Sequence, residues 1–169
     1  LNLYSPVACQ FDRVDFAYPS SEGRPVVANL DFTITAGERV AIVGPSGAGK
    51  STLFHLLLRF HDPISGRISV TGVDIRDLAT AELREHIGLV PQDAALFSST
   101  VRENIAFGRP DASHDNIVDA AQKAQADEFI SALDGGYEAV VGKKGVRLSG
   151  GQRQRIAIAR AILKDAPIL

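Results

Sequence analysis

The sequence has no methionine, no tryptophan and only one cysteine among its 169 residues. A single cysteine excludes an intrachain disulfide and favours a reducing compartment. Cys9 itself is typical of a small apolar residue in a strand. Because no initiator methionine is present and residues 166–169 are typical of a turn into a buried strand, we expect both ends to be cuts within a longer protein.

Long apolar runs and long basic runs are also absent. The most apolar stretches, at 39–43, 56–58 and 156–163, are far too short to span a membrane, and no secretory leader opens the chain. The net charge is −2, so the composition predicts no nucleic-acid partner. With 45% hydrophobic and 22% charged residues, the chain has the composition of one globular domain with a sizeable core.

The spacing of apolar residues predicts both strands and helices. Alternation at 14–18, 30–34 and 68–70 indicates half-buried strands, while the continuous apolar runs 40–43 and 87–90 indicate strands covered on both faces. Helical spacing and turn residues predict helices at 50–59, 80–86, 100–106, 115–126 and 150–163. Thr100 followed by Glu103 forms a capping-box pattern at the start of the third helix.

A glycine-rich segment lies between the run 40–43 and the first predicted helix. Residues 44–51 match the pattern G-x-x-x-x-G-K-[ST], whose glycines turn backbone N–H groups toward an anion at the start of a helix. Lys50 would hold the β- and γ-phosphates of a nucleotide, and the Ser51 hydroxyl would bind Mg²⁺. The nucleotide contacts expected here are Gly44, Ser46, Gly47, Gly49, Lys50, Ser51 and Thr52. A glycine-rich turn with a surface lysine is the alternative.

A second candidate anion site opens the last predicted helix. Ser149 can cap a helix whose first turn contains Gly150 and Gly151, which leaves N–H groups open to an incoming phosphate. An ordinary cap before an amphipathic helix is the alternative interpretation. Together with the phosphate loop, the segment 148–155 resembles the signature motif of ATP-binding cassette (ABC) proteins. In that family the signature contacts the γ-phosphate of ATP held by the other subunit, which implies nucleotide contacts at Ser149, Gly150, Gly151 and Gln152.

Two further segments follow the order of the ABC family. Residues 16–19 are similar to the aromatic segment on which adenine stacks, so Tyr18 is the candidate base platform, with a core aromatic as the alternative. Residues 90–93 resemble the family's glutamine loop, in which Gln92 would reach Mg²⁺ and the attacking water; an exposed glutamine after a strand is the alternative. The resemblance thus implies catalytic roles for Lys50 and Gln92, with ATP as ligand and Mg²⁺ bound through Ser51 and Gln92.

The resemblance extends to one branch of the family. Residues 95–105 closely resemble the segment that follows the glutamine loop in exporters, and residues 136–145 lead into the signature as exporters do. Exporters usually carry a glutamate where this chain has Lys143 and Lys144, in the loop that touches the membrane domain. The charge reversal puts that contact in doubt or reflects a differently charged partner, although two lysines in a loop are otherwise simply solvated.

The resemblance implies an α/β fold: a P-loop NTPase core with an antiparallel β subdomain and a helical subdomain that carries the signature. Residues 1–8 are expected to be a linker from a missing upstream segment, which would be transmembrane, and residues 9–169 an ABC domain incomplete at its C-terminus. The family's Walker B aspartate, catalytic glutamate and switch histidine would follow the strand that residues 168–169 begin. We therefore expect this chain to hydrolyse no ATP by itself. His55, His61, His86 and His114 show no metal-ligand spacing.

The expected function follows from the exporter resemblance. The domain would pair head to tail with a second ABC domain, dock on a transmembrane domain at the cytoplasmic face of a membrane, and couple ATP hydrolysis to transport of a substrate that this sequence does not specify. Two alternatives remain from the residues alone. One is a soluble ABC ATPase of the DNA-repair or cluster-assembly kind, and the other is a regulatory cassette that binds ATP without hydrolysing it.

Overall fold

The computed structural model describes residues 6–21, 24–142 and 145–169. They fall into two compact units, one ending at His86 and the other beginning at Ile87. Part of the linker expected over 1–8, namely residues 1–5, lies outside the described residues, as do Lys143 and Lys144. None of the described helices combines the length and the apolar composition that a membrane span requires.

The first unit is built on an antiparallel sheet, as the expected β subdomain requires. Its four strands lie in the order β2-β1-β3-β4. Their bounds are Val7–Phe16 for β1, Val27–Thr35 for β2, Ser65–Val70 for β3 and Val73–Asp74 for β4. β1 pairs with β2 on one side and β3 on the other, and both pairings are antiparallel.

A bulge in β1 decides which of its residues are buried. Cys9 and Phe11 are buried at odd positions, whereas Val14 and Phe16 are buried at even positions. The register against β2 shifts between Phe11 and Val14, and Arg13 there has a φ of 47°. The extra residue reverses the alternation of side chains between the two faces of the sheet. Cys9 and Phe11 before the bulge therefore face the same core as Val14 and Phe16 after it. Cys9 is 2% exposed in β1, as expected of a small apolar strand residue, and burial raises the pKa of its thiol to about 12.

Two helices and two short 3₁₀ turns complete the first unit. Helix α1 spans Lys50–Leu57, helix α2 spans Thr80–Glu85, and the turns are Pro19–Ser21 and Ile75–Asp77. Leu56 and Leu83 are fully buried, one on each helix. Both helices begin at the residue that the sequence predicts. They end one or two residues before the predicted end, because helix ends commonly fray.

The second unit is helical. Its elements are α3 at Val101–Ala106, α4 at His114–Lys123, α5 at Asp127–Ser131, a 3₁₀ turn at Gly136–Glu138 and α6 at Gly150–Lys164. Ile105, Ile117, Ile130 and Ile156 are buried in one apolar cluster to which all four helices contribute. The predicted capping box is confirmed: the Thr100 hydroxyl accepts from the Glu103 N–H, and the Glu103 side chain accepts from the Thr100 N–H.

Two predicted strands do not form. The segment 38–44 has no strand, and Val40 and Val43 are 47% and 86% exposed, so the prediction of a doubly covered strand at 40–43 is wrong for this structure. Residues 87–90 make one parallel bridge, between Ile87 and Ile168, instead of a strand. A strand exists only where a hydrogen-bonded neighbour lies beside it, and no other described segment pairs with either run. Apolar residues alone therefore do not make these strands.

Candidate functional site

The phosphate loop depends on glycine at the point where it enters α1. Gly49 is the residue before the helix and has a φ of 83°, which side-chain-bearing residues rarely adopt. A Cβ on Gly49 would also lie 2.9 Å from the backbone oxygen of Val26. Both the backbone conformation and the space therefore require glycine at this position.

Lys50 lies folded over the loop. Its Nζ donates to the carbonyl oxygens of Gly44 and Pro45 at 2.8 and 2.7 Å. The first-turn N–H groups of an α-helix have no acceptor within the helix, so the start of α1 presents donors and a partial positive charge beside this ammonium. A triphosphate fits such a site, because charge, loop and helix end all favour an anion.

The Ser51 hydroxyl lies on the exposed side of α1, whereas Thr52 beside it is only 5% exposed. Mg²⁺ that is bound through nucleotide phosphates needs only one or two protein oxygens, and an exposed hydroxyl at this position can supply one. Among the described residues, no cluster of three or more His, Cys, Asp or Glu side chains could hold a metal ion by itself. The donor set therefore fits a Mg²⁺ that arrives with its nucleotide.

Tyr18 lies just after β1 and is half-buried. Its hydroxyl is within hydrogen-bonding distance of Thr52 Oγ1 at 3.2 Å and of His55 Nδ1 at 3.1 Å. Its ring makes edge contacts with Phe16 and His61, at centroid distances of 4.9 and 5.2 Å. The candidate base platform is thus connected to the helix that carries Lys50, within one unit of the fold.

The signature segment forms the predicted cap at the start of α6. The Ser149 Oγ accepts from the Gln152 N–H at 3.2 Å, and the Gln152 side-chain oxygen accepts from the Ser149 N–H at 2.8 Å. Ser149, Gly150 and Gly151 are all exposed. A Cβ on Gly151 would meet no atom within 4 Å, so neither the packing nor the helical backbone of this chain requires glycine there. The Gln152 side-chain oxygen is used by the cap, whereas the family resemblance implies a nucleotide contact for this residue.

Gln92 is exposed in an irregular segment of the second unit. The backbone oxygen of its neighbour Pro91 accepts a 3.3 Å hydrogen bond from the Gln154 side chain on α6. Gln154 on the signature helix therefore contacts the glutamine loop, and no local sequence pattern marks this contact. The phosphate loop and Tyr18 belong to the first unit, whereas Gln92 and the signature belong to the second.

An exposed aromatic pair joins the segment 95–105, which resembles exporters, to a residue just after it. Phe97 and Phe107 are 49% and 61% exposed, and their ring centroids are 4.7 Å apart. The Arg160 guanidinium lies 5.4 and 5.6 Å from the centroids of the two rings and donates hydrogen bonds to Asn104. Asn104 is fully buried, and its side-chain amide forms hydrogen bonds with the backbone N–H and carbonyl of Phe97. Desolvation by burial lowers the pKa of Arg160. A fixed network thus holds two apolar rings at the surface.

A cavity of about 360 Å³ lies within the second unit. Its lining comprises residues that follow Gln92 and residues that flank the start of α6: Asp93, Ala94, Ala95, Leu96, Gly142, Val146, Arg147, Leu148 and Arg153. The glutamine loop and the signature segment therefore share one concave surface.

Comparison with known proteins gives consistent matches. A family model described as ABC transporter matches residues 27–169. The chain is 53% identical, over 94% of its length, to an ATP-dependent lipid A-core flippase of Chromobacterium violaceum, of which it covers 27%. It is 48% identical, over 97% of its length, to the mitochondrial iron-sulfur clusters transporter ATM1 of Kluyveromyces lactis, of which it covers 22%.

The solved structures include a bacterial Atm1-family ABC exporter with ATP bound. The whole chain superimposes on 29% of that exporter's chain with a TM-score of 0.93 and 47% identity. This match confirms the fold class expected from the sequence, an α/β NTPase domain with an antiparallel sheet and a helical part. The chain spans only 22% to 29% of the length of these three relatives.

Proposed function

The chain belongs to the ABC transporter family, and from this premise we propose that it is the ATP-binding domain of an exporter, in which ATP binding and hydrolysis drive a substrate across a membrane. The observation that carries the proposal is the phosphate loop, with Gly49 in a conformation that needs glycine and Lys50 folded over the loop. The relatives described above are a flippase and transporters, which favours the exporter over a soluble ABC ATPase or a regulatory cassette.

In the first unit, ATP would bind with its phosphates at the loop and its base at Tyr18. Lys50 would balance the charge of the β- and γ-phosphates, the loop N–H groups would bind their oxygens, and Ser51 would hold Mg²⁺. Phosphoryl transfer leaves little covalent chemistry to the protein, so positioned charge supplies most of the catalysis. Gln92 would orient the attacking water, the second catalytic role that the family resemblance implies.

In the second unit, the start of α6 would bind the γ-phosphate of ATP held by another copy. Ser149, Gly150 and Gly151 are exposed at the positive end of a fifteen-residue helix. Glycine in a helix costs about 1 kcal/mol relative to alanine, and Gly151 meets no neighbour that would explain this cost. A phosphate that must approach the backbone closely explains it, which supports head-to-tail pairing of two copies.

The membrane domain would dock on the second unit. Phe97 and Phe107 supply an apolar surface, and the cavity lined in part by residues 93–96 supplies a concave one; both border the segment that resembles exporters. Docking there would place the domain at the cytoplasmic face of the membrane, and movement of the glutamine loop would report on the nucleotide.

Nucleotide titration of the 169-residue chain tests the proposal. We expect calorimetry to detect ATP binding, and Lys50→Ala to weaken it by at least about tenfold, since a hydrogen-bonded charge contributes roughly 1.5–3 kcal/mol. We expect no steady-state phosphate release from these 169 residues, because none of them matches the family's catalytic glutamate. ATP binding that is unchanged in Lys50→Ala would contradict the site, and turnover abolished by the same variant would contradict the expected inactivity.

A further inference from the structure

Two side chains of α1 hold the Tyr18 hydroxyl. Thr52 Oγ1 and His55 Nδ1 lie 3.2 and 3.1 Å from the phenol oxygen. A tyrosine hydroxyl carries one proton and accepts through its lone pairs, so it can donate to one of these atoms and accept from the other. Both hydrogen bonds can therefore form at once, which fixes the ring in two directions rather than one.

The surroundings strengthen this contact. Thr52 is 5% exposed and His55 is partly buried, with its ring 5.9 Å from that of Phe60. Where water has limited access, a lost hydrogen bond is not readily replaced by one to solvent. The hydroxyl of Tyr18 is thus held by groups whose own positions are fixed by the helix.

The two aromatic neighbours of the Tyr18 ring lie close to each other as well as to the tyrosine. The centroids of Phe16, Tyr18 and His61 form a nearly equilateral triangle with sides of 4.9, 5.2 and 5.5 Å. If Phe16 and His61 covered opposite faces of the tyrosine, they would be separated by about the sum of their distances to it, and they are not. Phe16 and His61 therefore do not cover opposite faces of the tyrosine, and aromatic faces are where nucleobases stack.

We propose that His55, together with Thr52, is a positioning residue that holds the Tyr18 ring in place for the purine of a bound nucleotide. The inference rests on the proposed function, in which the same α1 begins at the phosphate loop. Because Lys50, Thr52 and His55 lie on one helix, the spacing between the base platform and the phosphate site is set by that helix. Mobility of the ring would then weaken base binding without affecting phosphate binding.

The test compares ATP with inorganic triphosphate, which has the phosphates but no base. Both are titrated against the 169-residue chain with Mg²⁺ present. We expect His55→Leu to weaken ATP binding by about three- to tenfold, a part of the roughly 5- to 150-fold that a stacked base contributes, and to leave triphosphate binding unchanged. His55→Gln, which restores a hydrogen-bonding group, is expected to recover most of the ATP affinity.

Tyr18→Phe tests the same contact from the other side and with the least change in volume. It keeps the ring and removes both hydrogen bonds, so we expect the same selective loss for ATP. Tyr137→Phe is the matched control, because it removes a half-buried hydroxyl that donates to Asp127 at 2.6 Å in the second unit. Thermal melting of each variant establishes that it is folded, and Tyr18→Phe decides the matter if His55→Leu does not fold.

Each outcome has a distinct meaning. Equal losses of ATP and triphosphate binding in His55→Leu and Tyr18→Phe, or no loss of either, would overturn the positioning role. A wild-type chain that binds triphosphate as tightly as ATP would overturn the base platform while leaving the phosphate loop intact. A wild-type chain that binds neither ligand would contradict the proposed function, and this inference would fail with it.

Discussion

Two glycines beside candidate phosphate sites differ in what the chain itself demands of them. Gly49 has a φ of 83°, and a Cβ there would meet the backbone oxygen of Val26 at 2.9 Å. Gly151 lies in the regular first turn of α6, where a Cβ would meet no atom within 4 Å. The fold of this chain requires glycine at position 49. Glycine at position 151 is explained instead by the nucleotide that another copy of the chain would present to α6.

The largest effect is expected from Gly49→Ala. The left-handed conformation costs a non-glycine residue about 1–2 kcal/mol, and the contact with Val26 requires the backbone to move in addition, so we expect a loss of about 2 kcal/mol or more in the free energy of unfolding. ATP binding should be lost as well, since the start of α1 would shift. Urea denaturation and calorimetry measure the two effects.

Gly47→Ala is the control for that prediction. Gly47 also has a φ of 81°, but a Cβ there would meet nothing within 4 Å. Only the conformational cost remains, so the loss should be about 1 kcal/mol. If Gly49→Ala and Gly47→Ala lose the same free energy of unfolding, the contact with Val26 does not contribute. The contrast between Gly49 and a glycine with free space around it would then be weaker.

An intermediate effect is expected from the cap of α6. Ser149→Ala removes the hydroxyl that accepts from the Gln152 N–H, which should lower the free energy of unfolding by about 1 kcal/mol. Thr100→Ala removes the corresponding hydroxyl of the capping box at α3 and should cost a similar amount. Only Ser149→Ala should also weaken ATP-dependent pairing of two copies, measured by sedimentation. Equal effects of both variants on pairing would reduce Ser149 to a structural cap.

The same contrast explains which features could be predicted from the sequence. A helix cap depends on residues a few positions apart, so the sequence predicts caps at Thr100 and Ser149, and both form. A strand depends on a distant neighbour that a local pattern does not reveal. The apolar run 40–43 predicts a buried strand, but the structure has none there. The contact of Tyr18 with His55 joins residues 37 apart in sequence. No local sequence pattern marks His55 as a partner of Tyr18.

The smallest effect, and the one with the opposite sign, is expected from Gly151→Ala. Alanine restricts the unfolded chain and favours the helix, and the space around Gly151 accommodates its methyl group, so the free energy of unfolding should rise by about 0.5–1 kcal/mol. Pairing of copies with ATP should become weaker, because a methyl group would lie where the phosphate must approach. A more stable chain with poorer pairing is the result that separates a glycine kept for a partner's nucleotide from one kept for the fold. A less stable Gly151→Ala chain would place Gly151 with Gly49, as a glycine that this fold requires.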